Sequence, residues 1–247
     1  MSDRPRLDEL LVRRGDYASR SRARDAILRG AVRVDGVPAT KPSQGVAADA
    51  LVTVADEARA YVSRSAVKLA HGLSHFGIPV AGRHALDIGA STGGFTQVLL
   101  ERDAAHVTAI DVGHGQMRVD DPRVTVIEGL NARDLAAHHL AHVPELIVCD
   151  VSFISLRLAL PGALALAAPG AHLVALVKPQ FEVGREAIGK GVVRDAAAQE
   201  EAVAAVARFL EERGWHVQGI IASPIAGGDG NREFLLAATK ALIITAL

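Results

Sequence analysis

The sequence predicts an α/β protein, a Rossmann-like doubly wound sheet of seven strands with a small α+β domain on its N-terminal side. Three observations carry that expectation. His84-Ala85-Leu86-Asp87-Ile88 is a short apolar strand that breaks into glycines and small residues and restarts as a helix from Thr96 through Leu100. Beyond it, strand-like and helix-like runs alternate as far as Thr239. Residues 1–46 hold 10 Arg or Lys against 6 Asp or Glu, a local charge of +4, which leaves −5 for the remainder of a chain whose net charge is −1. A basic module therefore precedes a mildly acidic one. The division expected is 1–56, a linker over 57–62, and 63–247.

The elements of the basic module can be justified in order. Leu7, Leu10 and Leu11 have helical spacing, and Arg13 and Arg14 suit the negative end of a helix that stops near Gly15. Ser19 or Ser21 can cap a second helix with Ala23, Ala26 and Ile27 on its apolar side, and Gly30 ends it. Residues 31–38 alternate like a strand and run into an Asp35-Gly36 turn, and Leu51-Val52-Thr53-Val54 supplies another short strand. Together with Ser19-Arg20-Ser21-Arg22-Ala23 and Val32-Arg33-Val34-Asp35-Gly36, this segment resembles the small RNA-binding module of a small-subunit ribosomal protein and of pseudouridine synthases. Arginines on one helix face would then position RNA through its phosphates.

The glycine turn expects a ligand, because backbone can approach one closely only where no Cβ intrudes. Its spacing, Gly89-Ala90-Ser91-Thr92-Gly93-Gly94, is neither the dinucleotide fingerprint nor a phosphate-binding loop. Asp87 would repel a pyrophosphate but suits a cationic ligand with an amino group, which points to S-adenosylmethionine. A second strand, residues 106–110, ends in Asp111, where such folds place an acid on a ribose diol. Gly89-Ala90-Ser91-Thr92-Gly93 also matches a hydrolase nucleophile elbow, but such elbows follow several earlier strands of their sheet, and only one helix and the basic module precede this one.

Further along, strands are expected at Val124–Glu128, Leu146–Asp150, His172–Lys178, Trp215–Ala222 and Phe234–Thr239, with helices at Leu156–Ala167 and Ala196–Arg213 and one opened by Ser63-Arg64-Ser65-Ala66-Val67-Lys68-Leu69. The uncharged run from Leu158 to Val177 reaches membrane length but contains two Pro-Gly pairs, so helix, turn and strand explain it better. The chain has one cysteine, Cys149, which excludes an internal disulfide and a cysteine zinc cluster. Side chains alternate along a strand, so Cys149 points away from Asp150 into the core and does not serve as a nucleophile. No apolar leader follows Arg4 and Arg6, and a cytoplasmic protein without a membrane span is expected.

Ligands in doubly wound sheets sit at the carboxyl ends of strands. Asp150 and Lys178 are expected at two such ends, Glu233 just before the last strand, and Lys68 on the preceding helix. The ordered motifs around them, 63–69, 87–95, 150–155, 177–181 and 230–234, resemble the hemolysin-A-type family of ribosomal RNA 2′-O-methyltransferases, which joins the RNA-binding module to a heat-shock-type (FtsJ-like) domain. The resemblance implies a seven-stranded methyltransferase sheet, S-adenosylmethionine as cofactor, no metal, and methyl transfer to a cytidine 2′-hydroxyl in ribosomal RNA or ribosomal subunits, with no obligate protein partner. It implies a Lys68, Asp150, Lys178, Glu233 tetrad. It also implies cofactor contacts from Asp87, Gly89, Ala90, Ser91, Thr92, Gly93, Gly94, Phe95, Asp111, Val112, Asn131, Ala132 and Asp150. RNA contacts are expected from Arg6, Arg20, Lys41, Arg64, Arg133 and Lys190.

The chemistry needs those residue types. A ribose hydroxyl is a poor nucleophile until a base takes its proton. Lys178 is the expected base, with Lys68 and the cofactor's sulfonium as the neighbouring cations that tune it, and Asp150 and Glu233 as orienting groups. Amino-methylating enzymes carry Asn or Asp-Pro-Pro-aromatic at the fourth strand, and Asp150-Val151-Ser152-Phe153 departs from that. The alternative is a non-catalytic RNA-binding assembly factor, which loss of the tetrad or the glycine loop would favour, and both are present. Two departures from the family stand out: Tyr61 where a tryptophan is expected, and a segment 113–121 a few residues short, which predicts a shortened helix.

Overall fold

In the computed structural model, residues 4–183, 192–227 and 230–242 are described. The chain divides into two compact units, Met1–Ala60 and Tyr61–Leu247.

The first unit packs α1 (Leu7–Arg13) and α2 (Arg20–Leu28) against an antiparallel sheet of β1 (Val32–Val34), β2 (Val37–Pro38) and β3 (Val52–Val54), in the order β2-β1-β3. Leu7, Leu11, Ala23, Ala26, Ile27 and Val32 are fully buried in its core. The Ser19 hydroxyl caps α2 by accepting the Arg22 N–H at 3.3 Å. Asp35 and Gly36 both take positive φ, 52° and 79°, as the tight hairpin between β1 and β2 requires. Asp56 fastens the end of the unit: its carboxylate accepts from Arg29 at 3.1 and 3.0 Å and from the Tyr17 hydroxyl at 2.8 Å. The expected linker is partly ordered into this unit, since Glu57–Ala60 winds into a 3-10 turn whose Ala58 carbonyl accepts from Arg22.

The second unit comprises α3 (Ser65–His75), β4 (His84–Ile88), α4 (Gly94–Glu101), β5 (His106–Asp111), β6 (Val124–Glu128), β7 (Leu146–Cys149), α5 (Leu156–Ala159), α6 (Pro161–Leu166), β8 (His172–Val177), α7 (Pro179–Glu182), α8 (Ala196–Glu211), β9 (Trp215–Ala222) and β10 (Phe234–Lys240). Its sheet runs β6-β5-β4-β7-β8-β10-β9, with β10 antiparallel to both neighbours and the other pairs parallel. Alternate residues of the central strands serve two cores. Leu86, Ile88, Ile147, Cys149 and Leu173 face α5, α6 and α8, while Ala85, Val107, Val148 and Leu176 face α3 and α4. Burial on both faces is why these strands read as continuous apolar runs.

Two expectations need correction. The helix foreseen over Leu156–Ala167 is two short ones, because Pro161 has no N–H to offer the carbonyl of the preceding turn. The shortened helix foreseen over 113–121 is absent. That connection crosses from β5 to β6 as irregular chain folded back toward the glycine turn, where the Arg118 N–H donates to the Thr92 carbonyl at 3.2 Å and the Ser91 hydroxyl to Gln116 at 3.0 Å.

Candidate active site

The glycine turn is shaped by close approach. Gly89 has φ +80°, and a Cβ there would stand 2.7 Å from the Asp150 carbonyl oxygen, so only glycine lets the ends of β4 and β7 come together. Gly93, at φ +93°, precedes α4, and a Cβ on it would lie 2.6 Å from the Met117 sulfur. Ser91 is also left-handed, at φ +47°, and its N–H donates to Asp111 Oδ2 at 2.8 Å. The other oxygen of Asp111 accepts the Gly113 N–H at 2.7 Å. One carboxylate thus ties the turn after β4 to the chain after β5.

A cavity of about 990 Å³ opens at the carboxyl ends of β4, β5 and β7. Gly89, Ser91, Asp111, Val112, Asn131, Ala132 and Asp150, all singled out in the sequence, line it, and so does Arg133, which was expected at RNA. A smaller recess of about 160 Å³ adjoins, lined by Ala90, Thr92, Phe95, Asp150, Ser152 and Lys178 among others. Asp87 lines neither. It is fully buried behind the turn, where Oδ2 accepts the Thr96 hydroxyl at 2.6 Å and Oδ1 has no hydrogen-bond partner. Burial first, and then the charges of Asp150 and Asp111, push its carboxyl up to about 7 against the pull of Thr96. An orphaned buried carboxylate oxygen with two further acids nearby is a site short of positive charge. Cavity size, the paired acid Asp111 and that deficit together fit a nucleoside-bearing cation.

The four tetrad residues meet as two ion pairs. Lys178 Nζ stands 2.7 Å from Asp150 Oδ1 and donates to the Ser152 hydroxyl at 2.8 Å. Asp150 Oδ1 meets Lys178 as an ion pair and has no hydrogen-bond partner. Lys68 Nζ donates to Glu233 Oε2 at 2.5 Å, with both side chains almost wholly buried. Because Phe234 lies opposite Val177 in the antiparallel register of β10 on β8, Glu233 falls level with Lys178 and the two pairs are neighbours. Lys68 is therefore paired with Glu233, one of the two acids expected to orient the amines. Cys149 is fully buried, with its thiol driven far above the ordinary range by burial.

Sequence reasoning missed Ser152, the partner of Lys178, although its place two residues beyond Asp150 was the available signal. It also missed Phe153, which is 90% exposed at φ +66° with its ring 5.2 Å from that of Phe181, both at the larger cavity. Of the expected RNA contacts, Arg6 and Arg20 converge on Asp8, at 3.0 and 3.3 Å, which holds both guanidiniums on one side of the first unit. Lys41 is exposed on the same unit, and Arg64 stands at the start of α3. Lys190 lies outside the described residues. Among the described residues, no group of three or more His, Cys, Asp or Glu could hold a metal ion, and no helix is long and apolar enough to cross a membrane.

Comparison with known proteins bears on both units. Residues 61–240 match the FtsJ-like methyltransferase family and residues 5–52 the S4 domain. The chain is 50% identical over 241 residues to a Mycobacterium tuberculosis protein named 16S/23S rRNA (cytidine-2′-O)-methyltransferase TlyA, spanning 96% of this chain and 90% of that one. It is 38% identical to Hemolysin A of Brachyspira hyodysenteriae, over 93% of this chain and 98% of the relative. A solved structure from Streptococcus thermophilus, provisionally described as a hemolysin, superposes with a TM-score of 0.76 at 37% identity, over 98% of this chain and 90% of that one.

Proposed function

Since this chain belongs to the FtsJ-like methyltransferase family, we propose that it transfers a methyl group from S-adenosylmethionine to the 2′-hydroxyl of a cytidine in ribosomal RNA. The observation that carries the reading is the Lys178 amine, held by Asp150 and Ser152 in a recess that shares Gly89, Ser91 and Asp150 with the large cavity. When bound, the cofactor supplies an electrophilic methyl group on a sulfonium. Asp111 would hold its ribose, and Asn131 and Ala132, which line the same cavity, would meet its base.

Lys178 is the base: its Nζ takes the proton from the ribose hydroxyl as the oxygen attacks in line. Asp150, 2.7 Å away, stabilises the ammonium that results, and Ser152 fixes the direction of the amine lone pair. The Lys68–Glu233 pair lies next to Lys178 in the register of β10 on β8 and is already charge-balanced. Phe153 presents an open aromatic face beside the recess, where a nucleobase drawn out of its stack can lie. Arg6, Arg20, Lys41, Arg64, Arg133 and Lys190 would hold phosphates and set the position of the RNA without reading its sequence. That substrate places the protein's work in the cytoplasm.

The test is direct. Purified protein, methyl-labelled cofactor and ribosomal subunits or naked ribosomal RNA should yield label in a 2′-O-methylcytidine, seen as a nucleotide step resistant to alkaline hydrolysis. Label on a base, or RNA binding without any transfer, would overturn the proposal.

A further inference from the structure

The chain leaving β7 and the chain leaving β8 are fastened together at three successive levels. Lys178 reaches Asp150 and Ser152, the Phe181 ring lies 5.2 Å from that of Phe153, and Glu182 closes the set. Glu182 is the last residue of α7, and its side chain is 1% exposed. Its Oε2 accepts the Ser155 hydroxyl at 2.5 Å and its Oε1 the Leu156 N–H at 2.7 Å. Arg157 adds a contact at 3.5 Å to Oε2 and donates to the Glu182 carbonyl at 3.1 Å.

Capping α5 does not require this carboxylate. Ser155 already caps that helix by accepting the Arg157 N–H at 3.2 Å, and a solvent-exposed cap would avoid the cost of burying an acid. What Glu182 adds is a cross-link between two strand-end segments. Only residues 151–154 separate Asp150, held at the end of β7, from Ser155, held by Glu182. Within that span Phe153 adopts φ +66°, a conformation a bulky residue keeps only when its surroundings impose it. With 90% exposure, its own side chain has little surface with which to impose it. The two anchored ends must do so.

We infer that Glu182 is a positioning residue for methyl transfer: its carboxylate fixes the 151–154 loop so that Ser152 meets the Lys178 amine. The inference rests on the reading of Lys178 as the base. It explains why the segment after Lys178 turns immediately into α7, since one helical turn brings Glu182 back over the chain that carries Ser152.

The experiment compares Glu182→Ala, Glu182→Gln, Ser152→Ala and the double variant Glu182→Ala/Ser152→Ala in steady-state methyl transfer to ribosomal RNA, beside wild type. Glu182→Ala should lower kcat by about tenfold or more, with a smaller change in KM for either substrate. Glu182→Gln keeps an acceptor for the Leu156 N–H and should recover most of the rate. If Glu182 acts through Ser152, the double variant should be no slower than the slower single one. A role confined to stability would lower the melting temperature and leave kcat per folded molecule unchanged, which would overturn the inference. Losses that multiply in the double variant would overturn it too. Should Glu182→Ala fail to fold, Ser155→Ala removes one arm of the same clamp and must show the same non-additivity with Ser152→Ala. Wild type that transfers no methyl group to a 2′-hydroxyl would defeat the functional proposal itself, a result separate from any of these.

Discussion

Cofactor affinity should depend on pH through Asp87, which never touches the cavity. Burial raises its carboxyl from an ordinary value of 3.8 to about 7. A displacement of about 3 units corresponds to roughly 4 kcal/mol between the two protonation states. The sign follows from the direction: the raised folded value adds stability to the ligand-free protein that is fully present below about 3.8 and is lost as pH rises through about 7. A cation brought to the glycine turn reverses this by favouring the carboxylate, so binding expels the proton. Calorimetry in two buffers of different ionisation enthalpy should count about half a proton released at pH 7, and affinity should fall about tenfold from pH 8 to pH 6. Asp87→Asn keeps an oxygen for the Thr96 hydroxyl and should abolish the proton release, so any pH dependence surviving in that variant belongs to the ligand. Flat affinity and no proton release in the wild type would refute the reasoning.

Lys178→Ala should cut methyl transfer by about 10²–10⁴-fold at saturating substrates while calorimetry shows nearly unchanged cofactor affinity, and near-normal turnover would place the base elsewhere. Lys68→Ala leaves Glu233 buried without its partner and should cost about 3–5 kcal/mol, a drop of roughly 10 °C in melting temperature, whereas Lys68→Met with Glu233→Leu should restore the stability and not the activity. Arg20→Gln should lower the slope of log affinity for RNA against log salt by roughly one, and an unchanged slope would return that arginine to a purely structural role on Asp8.

Much of the catalytic unit was legible because both-sided burial leaves strong apolar runs, and because a glycine turn cannot be disguised where a Cβ would strike the Asp150 carbonyl. Asp150, Lys178 and Glu233 were legible for the same reason: charge at the edge of an apolar run stands out. Their pairing was not. Which lysine faces which carboxylate depends on β10 lying antiparallel beside β8, a matter of sheet order that no local pattern records. Glu182 escaped notice because its partners, Ser155 and Leu156, sit 26 or 27 residues upstream in another segment. The missing helix after Asp111 was half visible, as shortness of sequence, but whether a short segment winds tightly or runs back over the glycine turn is decided by what it packs on. The split helix was legible in Pro161, which cannot supply the N–H that a continuous helix needs there.

The separation of 165 positions between Lys68 and Glu233 gives the enzyme a birth order. The first unit lies wholly within residues 1–60 and can fold while the rest is still being made. At about 5–20 residues per second, a ribosome then takes roughly 10–30 s to travel from Lys68 to Glu233. Until β10 emerges, β9 has no strand to pair with and Lys68 has no carboxylate. A nascent chain therefore completes its S4-like unit well before Lys68 and Glu233 can meet, and it cannot methylate the particle that is synthesising it until its sheet closes.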